Sequence, residues 1–582
     1  MRRGLIAIAA GLALADAAVV TLALPQILLD LDTSVEGVAA VIAVYTAVLT
    51  LALPLSAALH GRASGAAGAL LFAAASIACA SADSLEILLA MRALQALGGA
   101  ALLAAAFDAL DGGASGRRLW LGAAVAGTAA GPALGGLLTE LFDWRAIFIA
   151  QAPIGLAAVP AFLRSHIPTV REALPRPPRD LLAGAALMLL SGALTAVVFL
   201  LVLLLISGWS VEPLAAAATV TVLPLAAVAG SFVRAPASTR AVAGCLLVAG
   251  GIGCLALLPE ASVAWTFAPQ LLAGLGMGMA FPALAGELLP ERTRGQAAAL
   301  LSLRHAGITL ALVALAPLVA AELDDQVELA RERGTALVLD APLSPTDKVE
   351  IAPRLFSEIE SDDPRDALSR AIAVERRRLL AGESDPPSGA GQLGELLDQL
   401  DEGLGGGTPP EDLRRVLDEL AGDLDDVVLA AVDAAFSPAF AVTGGMALLA
   451  ALVLLPGLRR REGVGTFVRA RQGLQAGALG GALLVAAAVP AGYAVAERDL
   501  KPQPVQIADP CKDRERDSIG GVEGLAEDVA LTALDRAACR FGSSREELVL
   551  ALFDDASRRE YEREHGVDPR SLEDLLRGIA GL

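Results

Sequence analysis

Lysine is nearly absent. It occurs at positions 348, 501 and 512 alone, so arginine carries almost all of the positive charge. Aromatic residues make up 4% of the chain, and there are four histidines. No segment is strongly basic, which argues against a nucleic-acid partner. The five cysteines show no metal-ligand spacing. Cys79, Cys245 and Cys254 lie in apolar runs and read as packing residues. Cys511 and Cys539 lie in a polar tail, where a disulfide between them requires an oxidising compartment. No cleavable signal peptide is evident: Arg2-Arg3 opens an apolar run that is too long and leads to no cleavage site. The polar segments hold no nucleophile–base pair, metal cluster or phosphate loop, so an enzyme reading has no site to stand on.

What the chain has in abundance is apolar length. Hydrophobic residues are 55% of its 582 positions, and the mean hydropathy is +0.59. Stretches long enough to span a bilayer as helices fall at about 5–29, 37–59, 66–82, 84–108, 118–139, 145–163, 180–206, 213–233, 241–258, 263–286, 296–320, 438–458 and 470–495. Arginines occupy alternate loops: Arg2 and Arg3, Arg62, Arg117 and Arg118, the 164–179 segment, Arg234 and Arg240, Arg292 and Arg294, and Arg459 to Arg461. The other loops carry acids, with Arg145 the main exception. Positive charge stays on the cytoplasmic side, so the N-terminus is expected there.

The net charge of −20 is concentrated. Residues 321–437 hold about 28 acids against 11 bases, and the tail from 496 about 20 against 13. Both pieces fall on the outer side in this topology, which suits a Cys511–Cys539 disulfide. They read as small helical segments near 367–380, 393–400, 411–429, 522–540, 545–564 and 571–579, with Ser543 and Glu546 as a capping box.

The apolar stretch near 120–138 carries Gly127, Gly131, Pro132, Gly135 and Gly136. Glycines four residues apart share a helix face and let a neighbouring backbone approach closely, while Pro132 bends the helix. The spelling Gly-x-x-x-Gly-Pro-x-x-Gly-Gly resembles the fifth-helix antiporter signature of the major facilitator superfamily. Trp144-Arg145, Ile147-Phe148 and Pro153-Ile154-Gly155 continue the likeness towards its drug:proton antiporter branch.

Ionisable residues inside a membrane are costly and point to function. Asp16 sits roughly 16 Å from one end of the first span and Arg92 roughly 12 Å from the opposite end of the fourth, so the two reach similar depth and can pair. Asp16 with Val19-Val20-Thr21 and Pro25 resembles the branch's first-helix signature. Arg92, Gln95, Gly98 and Gly99 resemble its fourth-helix signature, whose arginine is implicated in proton coupling. Gly274-Leu-Gly276-Met-Gly278 with Phe281-Pro282, then Arg294-Gly295, Arg304 and Gly307, extend the resemblance into the second half. Arg304 and His305 are cavity candidates. His305 titrates near neutral pH when solvated, although a satisfied structural histidine is the commoner case.

Two departures stand out. The resemblance implies a latch loop after the second span with an aspartate before its arginine, but here Gly61 precedes Arg62. After Gly208-Trp209 the chain also lacks two helices of the longer branch. The expected fold is an all-α polytopic membrane protein of the major facilitator type, with two six-helix bundles and one extra C-terminal helix. Helices one to six fill 1–165, a cytoplasmic linker covers 166–179, five more helices fill 180–320, and 438–458 and 470–495 follow the insert. The resemblance implies proton-coupled efflux of a hydrophobic or amphipathic small molecule across the plasma membrane, with the proton gradient as energy source and no bound cofactor. The altered loop and the acidic segments motivate a second reading: a transporter-derived scaffold or sensor whose external segments bind a partner.

Overall fold

The computed structural model describes residues 2–58, 61–110, 114–165, 180–288, 293–343, 348, 410–460, 468–501, 505–512 and 522–571. The expected linker 166–179, Leu59 and His60 of the latch loop, the helical segments near 367–380 and 393–400, and all but the first residue of that near 571–579 lie outside the described residues. The chain divides into two compact units. One comprises Met1–Glu322 with Ala435–Lys501, the other Leu323–Ala434 with Pro502–Leu582.

In the first unit, apolar runs become helices because a helix satisfies every backbone polar group internally, the condition for crossing lipid. They are α1 (Arg2–Thr21), α2 (Leu24–Asp30), α3 (Val35–Ala58), α4 (Arg62–Ala80), α5 (Leu85–Leu110), α6 (Ala114–Leu141), α7 (Arg145–Leu163), α8 (Leu181–Leu203), α9 (Pro213–Val220), α10 (Val222–Ser231), α11 (Ala237–Leu255) and α12 (Val263–Leu288). The first part of the long helix α13 (Arg294–Asp340), up to Glu322, the part of α14 (Pro410–Arg460) from Ala435, and then α15 (Val468–Leu500) complete it. Among the described residues, twelve helical stretches are long and apolar enough to cross a membrane, and α6 adds an uncharged run over 119–139. The chain is a multi-pass membrane protein.

Two expected spans are interrupted. The first breaks between α1 and α2, where Pro25 supplies no backbone donor to the preceding turn. The stretch 213–233 breaks at Thr221, three residues before Pro224. Arg145, the exception to the arginine pattern, is neutralised locally: its Nη1 lies 3.1 Å from Asp30 Oδ2, and the guanidinium stacks 4.3 Å over Trp144. Trp144 Nε1 donates to the same carboxylate at 2.9 Å.

The second unit is held by its own apolar clusters. Val338, Leu343, Val416, Leu417, Leu420, Leu424 and Val428 pack around Leu550, while Ala537, Ala538, Leu548, Ala551 and Tyr561 form another core. The tail folds into α16 (Val522–Phe541), α17 (Arg545–Phe553) and α18 (Asp555–His565). The expected single helix over 545–564 is therefore two, divided at Asp554, whose side chain caps α18 by accepting from Ser557 N. The capping box is shifted by one residue: Ser544 and Glu547 form it, because Ser543 Oγ is engaged with Tyr561 OH at 2.7 Å. Cys511 and Cys539 are disulfide-bonded, with Cα atoms 5.0 Å apart.

Candidate functional site

The first half of the membrane unit, residues 2–165, buries a polar network among five helices. Asp16 projects from α1, and Arg92 and Gln95 from α5. Ser76 comes from α4, Gln151 from α7 and Tyr45 from α3. Arg92 Nη1 lies 2.6 Å from Asp16 Oδ2, with both side chains 0% exposed. The similar depth expected from sequence thus brings acid and guanidinium into contact.

Removing both charges of an ion pair from water is costly, and hydrogen bonds to the remaining donors and acceptors offset part of that cost. Here Gln151 Nε2 donates to Asp16 Oδ1 at 2.9 Å. Arg92 Nη1 donates to Gln95 Oε1 at 2.6 Å and Arg92 Nε to the Val41 carbonyl at 3.1 Å. Gln95 Nε2 donates in turn to Gln151 Oε1 at 2.7 Å and to Ser76 Oγ at 2.9 Å. The guanidinium lies 4.4 Å from the Tyr45 ring centroid and 5.6 Å from that of Phe148. Tyr45 OH donates to Ala13 O at 3.0 Å. The two amides close a ring of hydrogen bonds with the pair, while Arg92 Nη2 has no hydrogen-bond partner among the described residues.

Gln151, Ser76 and Tyr45 escape a search for charge, because none is ionised at neutral pH. The available signal was Gln151 as the polar residue between Phe148 and Pro153 in an otherwise apolar run.

The glycine stripe on α6 meets two neighbours. A β-carbon at Gly127 would lie 2.4 Å from Gly11 O, one at Gly131 2.9 Å from Ala18 Cβ, and one at Gly135 2.3 Å from Val19 O. All three seat α6 against α1 inside the first half. Gly136 faces the second half instead, where a β-carbon would lie 2.2 Å from Ala217 Cβ on α9. The stripe expected to admit one neighbouring backbone therefore meets the other half through Gly136, while the other three glycines seat α6 within the first half. Pro132 is buried within α6.

A second contact between halves joins α3 to α13: Thr46 Oγ1 lies 2.9 Å from Thr309 Oγ1. Towards the Glu36 end of α3 the two helices line a cleft of about 360 Å³. Its walls are Ala39, Ala40, Ala43, Val44 and Ala47 on one side and Leu312, Val313, Ala316 and Pro317 on the other. That volume and apolar lining fall in the range of small-molecule sites. Arg304 and His305 are not among the lining residues. His305 is buried, and its Nδ1 lies 2.7 Å from Leu301 O, so it is tied to its own helix. Arg62 opens α4 with its side chain exposed.

Among known proteins, the family model of the Major Facilitator Superfamily matches residues 6–320. The multidrug resistance protein Stp of Mycobacterium tuberculosis is 36% identical over 151 residues, covering 24% of this chain and 28% of that protein. The tetracenomycin C resistance and export protein of Streptomyces glaucescens is 31% identical over 220 residues, covering 35% of this chain and 40% of its own. The match thus spans well under two thirds of either relative. A bacterial homologue of the human lysosomal transporter Spinster, in an inward-facing and unoccupied conformation, aligns at 15% identity with a TM-score of 0.49 over 78% of this chain and 97% of its own. The family match runs from α1 well into α13 over more than half of the sequence, and the chain belongs to the Major Facilitator Superfamily.

Proposed function

We propose that the protein is a secondary transporter that exports a hydrophobic or amphipathic small molecule across the plasma membrane in exchange for protons. The observation that carries this reading is the sealed Asp16–Arg92 pair touching α3, the helix that also lines the cleft. Val41 and Tyr45 contact Arg92, whereas Ala43, Val44 and Ala47 face the cleft. Loss of charge at Asp16 would free Arg92 and alter its hold on α3. That change would be felt at the Thr46–Thr309 contact and in the shape of the cleft. Two packed halves tilting about a midplane site are the expected mode of such folds. The export and resistance proteins among the relatives support efflux as the direction.

In this reading the N-terminus is cytoplasmic, α15 crosses the bilayer as an added span, and the tail lies outside. The disulfide supports an oxidising side for that tail. The test is efflux from proteoliposomes under an imposed pH gradient. Asp16→Asn is expected to abolish the gradient dependence, and retention of that dependence would remove the assigned proton site.

A scaffold or sensor reading has one observation in its favour: the tail-bearing unit has its own cores, caps and disulfide. Deleting 496–582 separates the two. Efflux that survives favours transport, whereas absent efflux in every form, with partner capture that needs the tail, favours the scaffold.

A further inference from the structure

We infer that Asp108 and Arg294 form the latch that holds the two halves together at the end of the membrane unit where the chain begins, in place of the carboxylate missing at position 61. The inference rests on the rocking motion proposed above. Arg294 Nη1 contacts Asp108 Oδ2 as an ion pair and hydrogen bond, and the two side chains are 5% and 16% exposed. Asp108 lies in the last turn of α5, in the first half, and Arg294 is the first residue of α13, in the second. The contact therefore spans the halves.

The same seam is packed as a core. Ala298 and Leu301 of α13 belong to one apolar cluster with Leu53 and Ala57 of α3 and Ala106 and Leu110 of α5. At the opposite end α13 stands off from α3 across the cleft. One helix is thus clamped at its start and parted from the first half further along.

Helix dipoles give the pair a particular energetic sign. An acid at a helix C-terminus and a cation at a helix N-terminus are each disfavoured by their own helix. Asp108 and Arg294 occupy those two positions. Each is favoured by the other's helix end as well as by the opposite charge, so both gain from the closed seam and lose when it opens. Meanwhile Gly61 adopts φ +130°, a backbone conformation that an aspartate would enter only with strain. The loop at 61 is therefore built without the acid, and the acid at the end of α5 reaches α13 instead.

The test reads conformation directly. Val313→Cys places a reporter in the cleft, where Val313 is 61% exposed; the free cysteines Cys79, Cys245 and Cys254 are buried. Labelling of the full chain in liposomes by a membrane-impermeant thiol reagent, without substrate, follows the clamped state. Asp108→Asn and Arg294→Gln should each lower the labelling rate by about tenfold, since each removes the charge–charge contact that joins the halves in the closed seam. The exchanged pair, Asp108→Arg with Arg294→Asp, should fall between the single variants and the parent: the Coulomb attraction returns while the dipole contribution reverses. Single variants that label like the parent would overturn the latch, as would an exchanged pair no better than the singles. Labelling that follows this order in a protein without proton-driven efflux would leave the latch standing and remove the transport reading instead.

Discussion

The two units differ in how much of their charge they bury. In the membrane unit the central ions are scarce and sealed: Asp16 and Arg92 are fully buried, each hydrogen-bonded to a neighbour. In the tail-bearing unit ions are abundant and mostly wet, although Arg545 and Glu546 pair there with both side chains 0% exposed. Arg570 pairs with an Asp555 that is 79% exposed, and Arg558 bridges half-buried Glu562 and Asp568. Exposed pairs contribute little, typically under about 1 kcal/mol. Losing one member of a sealed pair strands the other in a medium that cannot solvate it. The first unit thus confines its central charge to one buried pair, whereas the second combines apolar clusters, caps and a disulfide with many exposed pairs and one buried one.

The sharpest way to break that contrast is to strand one member of the sealed pair. Arg92→Leu leaves Asp16 without its counter-ion and should destabilise the membrane unit by about 3–5 kcal/mol, read as a large fall in Tm in detergent. Arg558→Leu should leave Tm almost unchanged. Equal effects would erase the distinction.

The disulfide comes next. Cys511→Ser with Cys539→Ser opens a link between residues 28 apart and should cost the tail about 3 kcal/mol. Faster proteolysis within 522–571 of the full chain, with unaltered helix content in the membrane unit, is the expected outcome.

Gly136→Val probes the contact between halves. The new side chain meets Ala217 and the Pro213 carbonyl, at a cost of about 1–3 kcal/mol for overpacking. Efflux should fall more than Tm does. Gly135→Val strikes the backbone of α1 and should lower Tm first.

The smallest effect is a pH dependence in the tail-bearing unit. Burial, then Glu547, Glu328 and Glu546, push the Glu332 carboxyl up to about 7, while Arg333 opposes them. A carboxyl that binds its proton more tightly when folded makes the unit less stable as pH rises from about 4.5 through 7, and flat above that. Hydrogen-exchange protection in 323–340, corrected for the intrinsic pH dependence of exchange, should therefore rise on acidification across this window, and Glu332→Gln should abolish the rise.

Much of this was legible in the chain. Asp16 and Arg92 stood out because a charge in a spanning run demands a partner, and helical rise alone put them at one depth. Cys511 and Cys539 stood out because the other cysteines lie in apolar runs. The amide ring was hidden, since Gln151 and Ser76 carry no charge and their partners come from other helices. The glycine spacing revealed a close approach but not its partner; that Gly135 seats on α1 and Gly136 on α9 depends on tertiary placement. The capping box slipped by one position because Ser543 and Ser544 each precede a glutamate by three residues. Only the distant Tyr561 decides between them.

The central claim is that the carboxylate held by Arg92 exchanges the proton that drives transport. The measurement is proton release and uptake by the purified protein, followed with a pH-sensitive dye as a transported compound is added, in the parent and in Asp16→Asn. The account predicts a substrate-linked proton signal in the parent that vanishes in the variant while the compound still binds. An undiminished signal in Asp16→Asn would contradict it.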